Sequence, residues 1–343
     1  MGSLPNLDQT PLQTSRISTV VPATPRGEEK LENSAYNLNY MDLLMKLHYI
    51  RSIYIFNSES VQNLSISDLK TPMFPLLDLY SHVSGRVRIS ESGRAFIKCN
   101  DAGVRIVESQ CDKTVGEWLD ENEYCVDGLV HDHVLGPDLA FSPLVFVKFT
   151  YFKCGGLSVG LSWAHILGDA FSAFNYMIWK CIAQIKGDVG QKVVTICTTN
   201  FSNRVENEFP TNGLVLSKIE TNLSPKEVDI LELVKLIGEK KINENYALEK
   251  LVEESEGKDD FIVYGAKLTF VDLEEADFYG VKINGQKPIL ANCDFHGVGD
   301  QGVVLVLPGL EDNDGNNGRM ITISLPQKEL DQLKCKLAKE WGI

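Results

Sequence analysis

The residues best placed to do chemistry lie in SWAHILGDAF, residues 162–171, where His165 and Asp169 stand four positions apart after an apolar run. A neutral imidazole beside a cleft can take the proton of an attacking alcohol or amine. The neighbours of His165 are Ala164, Ile166, Leu167 and Gly168, small or apolar residues that disfavour the imidazolium and keep the ring able to accept. Gly168 lets another chain or a ligand come close. The same spacing also suits a buried histidine bonded to a carbonyl, with Asp169 capping the helix that follows.

The other candidates offer less. His131 and His133 share one face if LVHDHVL is extended, but a third ligand is lacking and no metal is expected. His48 and His82 lie in amphipathic segments and read as packing residues, and the C-x-x-H spacing of Cys293 and His296 has no second pair. The eight cysteines are scattered, with none at C-x-x-C spacing, and read as reduced, mostly core residues. Without G-x-S-x-G, a phosphate loop or a dinucleotide fingerprint, those hydrolase and nucleotide chemistries have no support.

Something rigid must hold His165, and the sequence around it supplies a hairpin. PLVFVKFTYFKCGGLSVGLSW, residues 143–163, contains two runs of strand composition flanking Cys154-Gly155-Gly156, whose glycines suit a tight turn. His165 then falls just past the end of a buried strand. Strand composition recurs in RIST, SIYIF, RVRIS, AFIKC, VRIVES, LTFVDL, GVVLVLP and RMITISL. SISDLKTPMFPLLDLYSHVSG, residues 65–85, carries apolar residues at helical intervals, with Ser67 placed to cap and Gly85 to stop. Another helix runs from Asp169 to Lys186 and ends at Gly187, and a third starts at Ser224 with Pro225 in its first turn and Glu227 completing a capping box. The last, residues 327–341, spaces Leu330, Leu333, Leu337 and Trp341 along one face.

With 343 residues and 43% hydrophobic content, the chain can form two lobes or one large domain. A formal charge of −14 argues against a nucleic-acid partner and against anionic lipid surfaces. No apolar run reaches the roughly 18–20 residues of a bilayer span, so membrane association is expected to be peripheral or through a partner. The polar N-terminus lacks the pattern of a secretory signal, which makes the sequons at Asn63, Asn200 and Asn222 chance matches, and Asn6 breaks a myristoylation motif.

Taken together, several motifs resemble the plant BAHD acyltransferases. Residues 141–177 hold strand, Cys-Gly-Gly turn, strand and HxxxD; YSHVSGRVRI and GRMITISLPQKELDQL match further family segments. SPLVF, FKCGGL, GLSWAHILGD, HDHVLGPDL, YGAKLTFV and HGVGDQGVVLV resemble the eceriferum wax-biosynthesis subgroup. The resemblance implies an α/β, two-lobed CoA-dependent acyltransferase fold, chloramphenicol acetyltransferase-like, with mixed β-sheets flanked by helices. Lobes at residues 1–177 and 178–343 would enclose a channel, with His165 midway along it as general base toward the thioester carbonyl and Asp169 holding the loop. Trp163, Gly168 and the second motif (Asp294, Phe295, His296, Gly297, Gly299) would support the channel wall.

Two departures stand out. The family's Asp-Phe-Gly-Trp-Gly is DFHGVG here: either His296 is an insertion, or Phe295 and His296 replace the Asp and Phe, and Val298 stands in for tryptophan. The chain is also shorter than the family, with the shortfall between SAFNYM and IWKCIAQIKG, so the fold is incomplete at the inter-lobe crossover and the 169–186 helix fuses two family helices. By resemblance the protein supports very-long-chain fatty acid elongation for cuticular wax. Its partner would be the elongase condensing enzyme, a 3-ketoacyl-CoA synthase. The expected location is the cytosolic face of the endoplasmic reticulum or the cytoplasm. Acyl-CoA is the expected substrate and no cofactor is expected to be permanently bound. The other function implied is catalytic O- or N-acyl transfer by His165.

Overall fold

The computed structural model describes residues 12–24, 34–122, 125–132, 142–169, 192–199, 212–221, 242–274, 278–311 and 317–341. The first half of the chain forms β1 (Leu12–Val20), β2 (Ala35–Tyr36), α1 (Tyr40–Leu44), β3 (Tyr49–Phe56), α2 (Ile66–Lys70), α3 (Met73–Leu79), β4 (Arg86–Ile89), β5 (Ala95–Lys98), β6 (Val104–Cys111), α4 (Val115–Asn122), β7 (Val145–Phe152) and β8 (Leu157–Ala164). After β8 come β9 (Lys192–Thr199), β10 (Leu214–Thr221), β11 (Ile242–Asn243), α5 (Asn245–Glu254), β12 (Leu268–Asp272), β13 (Leu290–His296), β14 (Val303–Glu311), β15 (Asn317–Ser324) and α6 (Gln327–Trp341).

These strands build two mixed six-stranded sheets, ordered β1-β6-β7-β8-β3-β13 and β11-β10-β9-β12-β14-β15, and a small sheet β2-β5-β4. In the first sheet only β6 and β7 run parallel; in the second, β12 is parallel to both β9 and β14. The α/β class with mixed sheets is therefore the one expected. β8 is buried along its whole length and β7 along all but one residue; in β8 the large residues Leu157, Val159, Leu161 and Trp163 alternate with Ser158, Gly160, Ser162 and Ala164, so the second face is covered as well but by small side chains. Their turn is the expected one: Gly155 takes φ 84°, and Phe152 and Gly156 close it with a 2.9 Å hydrogen bond from the Phe152 N–H.

A strap crosses the face of this sheet. A side chain at Gly160, in the middle of β8, would collide with the Leu129 carbonyl. Beside that crossing, Lys148 Nζ donates to the Gly128 carbonyl at 2.7 Å and Ser162 Oγ to the His131 carbonyl at 2.6 Å. Val126, Leu129 and Val130 are buried there with Trp118 and Ile53. The LVHDHVL segment is thus not a strand in its described part: its His131 carbonyl accepts from Ser162 of β8, and the His131 ring stacks on Phe146 at 4.3 Å. His133 lies outside the described residues.

Other expectations need correction. Ser65, not Ser67, caps α2, because its side chain and that of Asp68 form a reciprocal capping box; Pro72 then divides the segment, and α3 ends at Tyr80 rather than at Gly85. Gly85 is needed for another reason, since a Cβ there would sit 2.7 Å from the Lys98 carbonyl oxygen. The helices expected from Asp169 and from Ser224 lie outside the described residues, as does the junction at 177/178. The C-terminal helix is α6 as expected, whereas α4, α5, β9, β10 and β13 were not anticipated.

The two large sheets meet through one continuous apolar core that includes Tyr54, Trp163, Leu216, Tyr264, Phe295 and Leu305. Their edges also touch, with Thr322 Oγ1 of β15 donating to Asn292 Oδ1 of β13 at 2.8 Å. Two glycines give the packing a direct test. Gly160→Ala should cost more than about 2 kcal/mol in urea unfolding, since the strap must lift. Gly116→Ala, in α4 with open space around it, should be neutral or stabilise by about 0.5 kcal/mol.

Candidate active site

At its C-terminal end β8 passes directly into a one-turn 3-10 helix, His165–Leu167. The turn is pinned at both ends. Ala164 N–H donates to the Leu144 carbonyl and His165 N–H to the His48 carbonyl, at 2.8 and 3.0 Å. Gly168 follows with φ 153° and ψ 165°, a region essentially restricted to glycine, so the residue just before the aspartate has no substitute. The Gly168 carbonyl accepts from Trp163 Nε1 at 3.0 Å. Trp163 is fully buried, and rather than facing an open channel it staples the loop back to its strand.

Beneath the loop, Asn212 joins three elements. Its Nδ2 donates to the His165 carbonyl at 2.9 Å and to Asp42 Oδ1 at 2.8 Å. Asp42 also closes the capping box of α1 with Asn39. The next residue, Gly213, donates its N–H to Asp169 Oδ2 at 2.9 Å. Asp169 is buried, and this bond ties the end of the loop to the residue before β10. Burial pushes the Asp42 carboxyl up to about 6, against the hydrogen bonds from Asn212 and Asn39 and with added repulsion from Asp169.

The His165 ring is fully buried, and its Nε2 lies 2.9 Å from the Tyr264 hydroxyl. Its own carbonyl and the Asn212 side chain are the groups that favour a proton on the ring, while Nδ1 makes no hydrogen bond among the described residues. Burial outweighs them and pushes the imidazole down to about 4. His48 lies on the far side of Tyr264, rings edge to face at 5.0 Å, and its Nε2 accepts from Val263 N–H at 3.1 Å. Burial, and then the neighbouring His165, push His48 down to about 3. Both histidines are therefore uncharged at neutral pH.

Residues 294–299 split between two jobs. On β13, Asp294 faces Arg51 of β3, its register partner, in a bidentate pair at 2.7 and 2.5 Å. Arg51 Nη1 reaches Asp132 and Asp127 as well, at 2.7 and 2.8 Å. Burial opposes the guanidinium charge, but the carboxylates more than offset it and raise its pKa. Asp294 thus sets the register of β13. Phe295, on the opposite face, reaches the site: its ring is 4.6 Å from Tyr264 and 6.0 Å from His165. Gly297, at φ 79°, abuts the Leu47 carbonyl, and Gly299 abuts Gly265, whose added Cβ would lie 2.6 Å from the Gly299 nitrogen. His296 ends β13 opposite Tyr49, and Val298 packs against the core.

The structure therefore brings His165, Gly168, Asp169 and Phe295 together and leaves Asp294 and His296 off the imidazole. The expected open cleft beside His165 needs correction. The ring has no exposed surface, with Tyr264 and Phe295 packed against it. Sequence reasoning missed Tyr264, His48, Asn212 and Asp42 as parts of this site; only the Asn39-x-x-Asp42 capping pattern was there to be read. Among the described residues no group of histidine, cysteine and acidic side chains could hold a metal ion. Nor, among those residues, is any helix long and apolar enough to cross a membrane.

Comparison with known proteins places this geometry. The profile of the family described as Transferase matches residues 10–258. Protein ECERIFERUM 2 of Arabidopsis thaliana is 35% identical over 430 aligned positions that cover 96% of this chain and 98% of that protein. Protein ECERIFERUM 26 of the same plant is 32% identical, covering 96% of each. Acetyl-CoA-benzylalcohol acetyltransferase of Clarkia breweri is 30% identical over 45% of this chain and 34% of its own length. The 430 aligned positions outnumber the chain's 343 residues, so the relative carries residues that this chain lacks. Among solved structures, vinorine synthase superposes with a TM-score of 0.64 at 13% identity, over 93% of this chain and 96% of that one. Fusarium sporotrichioides TRI101, complexed with coenzyme A and T-2, superposes at 0.65 and 11% identity, over 88% and 97%. At such identities these two structures speak for the two-lobed acyltransferase fold.

The buried imidazole makes stability depend on pH. His165 stays neutral in the folded protein while the unfolded chain takes up a proton below about 6.5, so its contribution is present above that pH and lost as pH falls toward 4. Asp42, raised in the folded state, acts in the opposite sense between about 4 and 6 and is common to protein and variant. The stability advantage of the protein over His165→Gln should therefore shrink by about 1.4 kcal/mol per pH unit from 6.5 to 4 in urea unfolding. A difference independent of pH would mean that the imidazole is solvated.

Proposed function

We propose, for a chain that belongs to the BAHD transferase family and to its ECERIFERUM branch, a role in very-long-chain fatty acid elongation for cuticular wax, in which acyl-CoA is handled without transfer by His165. The partner in this reading is the condensing enzyme of the elongase, a 3-ketoacyl-CoA synthase. The protein would then work at the cytosolic face of the endoplasmic reticulum as a peripheral component. Two lobes, residues 1–177 and 178–343, would form the acyl-handling unit.

One observation supports the non-transferring role above the rest: the nitrogen a base would use is already hydrogen-bonded to a protein hydroxyl, in a ring with no exposed surface. An imidazole near 4 is also a poor match for proton transfer at neutral pH, where an efficient general base has a pKa close to the operating pH. The similarity to ECERIFERUM proteins over nearly the whole chain supports the wax-related part of the reading. The second reading, a working O- or N-acyltransferase, is favoured by the intact His165–Asp169 pair and by an imidazole that is uncharged at neutral pH.

Two measurements separate them. Expressed in a wax-deficient plant, His165→Ala should restore long-chain wax as fully as the unaltered chain. Purified protein given acyl-CoAs with alcohols and amines should show no turnover that depends on His165. Loss of rescue by a folded His165→Ala, together with turnover that disappears in that variant, would establish the transferase instead. Parallel rescue by a chain that carries the additional internal segment of the relatives tests whether the short form suffices.

A further inference from the structure

The contact at His165 has the form of a reaction complex. In acyl transfer to an alcohol, the acceptor's O–H points at the base nitrogen at hydrogen-bond distance before it attacks the thioester carbonyl. Tyr264 makes that contact from within the chain: a hydroxyl, 2.9 Å from Nε2, in a fully buried side chain. The hydroxyl stands where an acceptor would have to stand.

Its position is held from several directions. Val263 N–H is bonded to His48 Nε2, Gly299 N–H to the Tyr264 carbonyl at 2.9 Å, and Gln301 N–H to the Gly265 carbonyl at 3.0 Å. Gly265, at φ 79°, fits against Gly299 only because neither has a side chain. The phenol ring is enclosed by Phe295 at 4.6 Å and His48 at 5.0 Å. Gly297 lies against Leu47 and anchors the other end of the same loop. The loop that follows β13 thus serves as a clasp, with a backbone-to-backbone fit that fixes one tyrosine.

We infer that Tyr264 is an internal occupant of the acceptor position, held there by the 263–265 and 297–301 segments, so that alcohols, amines and water are kept from the imidazole. This rests on the reading of a non-transferring acyl-handling protein and supplies its physical cause: the base is present but its place is taken. Displacing the ring should expose the nitrogen.

The test uses the full chain and a small acylating probe, diethyl pyrocarbonate, which modifies accessible neutral imidazoles, with modification read at each histidine by mass spectrometry. His165 should be unreactive in the unaltered protein and at least tenfold faster to modify in Tyr264→Ala. His82, buried elsewhere and stacked on Tyr36, should stay protected in both and so reports on folding. If His165 stays as protected in Tyr264→Ala as before, the inference is overturned. Should His82 also become reactive, Tyr264→Phe decides, since it keeps the ring and removes only the hydroxyl. The 15N resonance of His165 Nε2 should then shift on losing its hydroxyl partner, and an unmoved resonance overturns the inference. Neither readout depends on wax rescue, so failure here leaves the proposed function to its own experiment.

Discussion

Burying an imidazole completely is the constraint that organises this molecule. A ring without solvent contact must be neutral and must find partners inside the protein, because an unpaired buried nitrogen costs about 1–3 kcal/mol. His165 meets that demand at Nε2, through the Tyr264 hydroxyl, and leaves Nδ1 without a hydrogen-bond partner among the described residues. The turn that carries the ring is held by Asn212 at the His165 carbonyl, so His165 ties the end of β8 to the segments before β10 and before β12. The glycines at 265, 297 and 299 then matter because each lets a backbone come close, and Gly168 because of its backbone angle.

A second polar arrangement stabilises the scaffold without entering the site. Arg51 and Asp294 face each other across β3 and β13, and Asp127 and Asp132 complete the guanidinium's partners from the strap that crosses β8. One cation thereby ties together a strand early in the chain, a strand late in it and the crossing segment between. A buried pair of this kind contributes little compared with an apolar replacement, yet losing one partner strands a charge, at a cost of about 3–5 kcal/mol. Its role is to fix which residues of β13 face which side, and so to aim Phe295 at the imidazole.

Much of the local structure was legible in the sequence. The hairpin around Cys154-Gly155-Gly156, the strands at 86–111 and 303–324 and the last helix follow from composition and periodicity, since turn glycines, β-branched runs and a regular leucine stripe act over a few residues. The neutral state of His165 was legible for the same reason, from its apolar neighbours. The lid over it was not. Tyr264 is 99 positions away and Asn212 is 47, and at such separations spacing carries no information about contact. Ser67 was taken for a cap because it is a serine at the right distance from an apolar stripe, whereas Ser65 prevails by having Asp68 three residues on to answer it. The second motif showed its divergence in the sequence but not its division of labour, because that depends on which face of β13 each residue takes.

The order of strands in the first sheet bears on how the protein is made. β3 is complete by residue 56, but the neighbour that covers its outer edge is β13, whose pairing joins Arg51 to Asp294 across 243 positions. While a ribosome is still synthesising the intervening chain, that edge has unpaired backbone donors and acceptors, the kind of surface that recruits a wrong strand. Synthesis must reach residue 296 before the sheet can close, so in the cell the hazard falls on the nascent polypeptide, and a holding chaperone has most to do during translation.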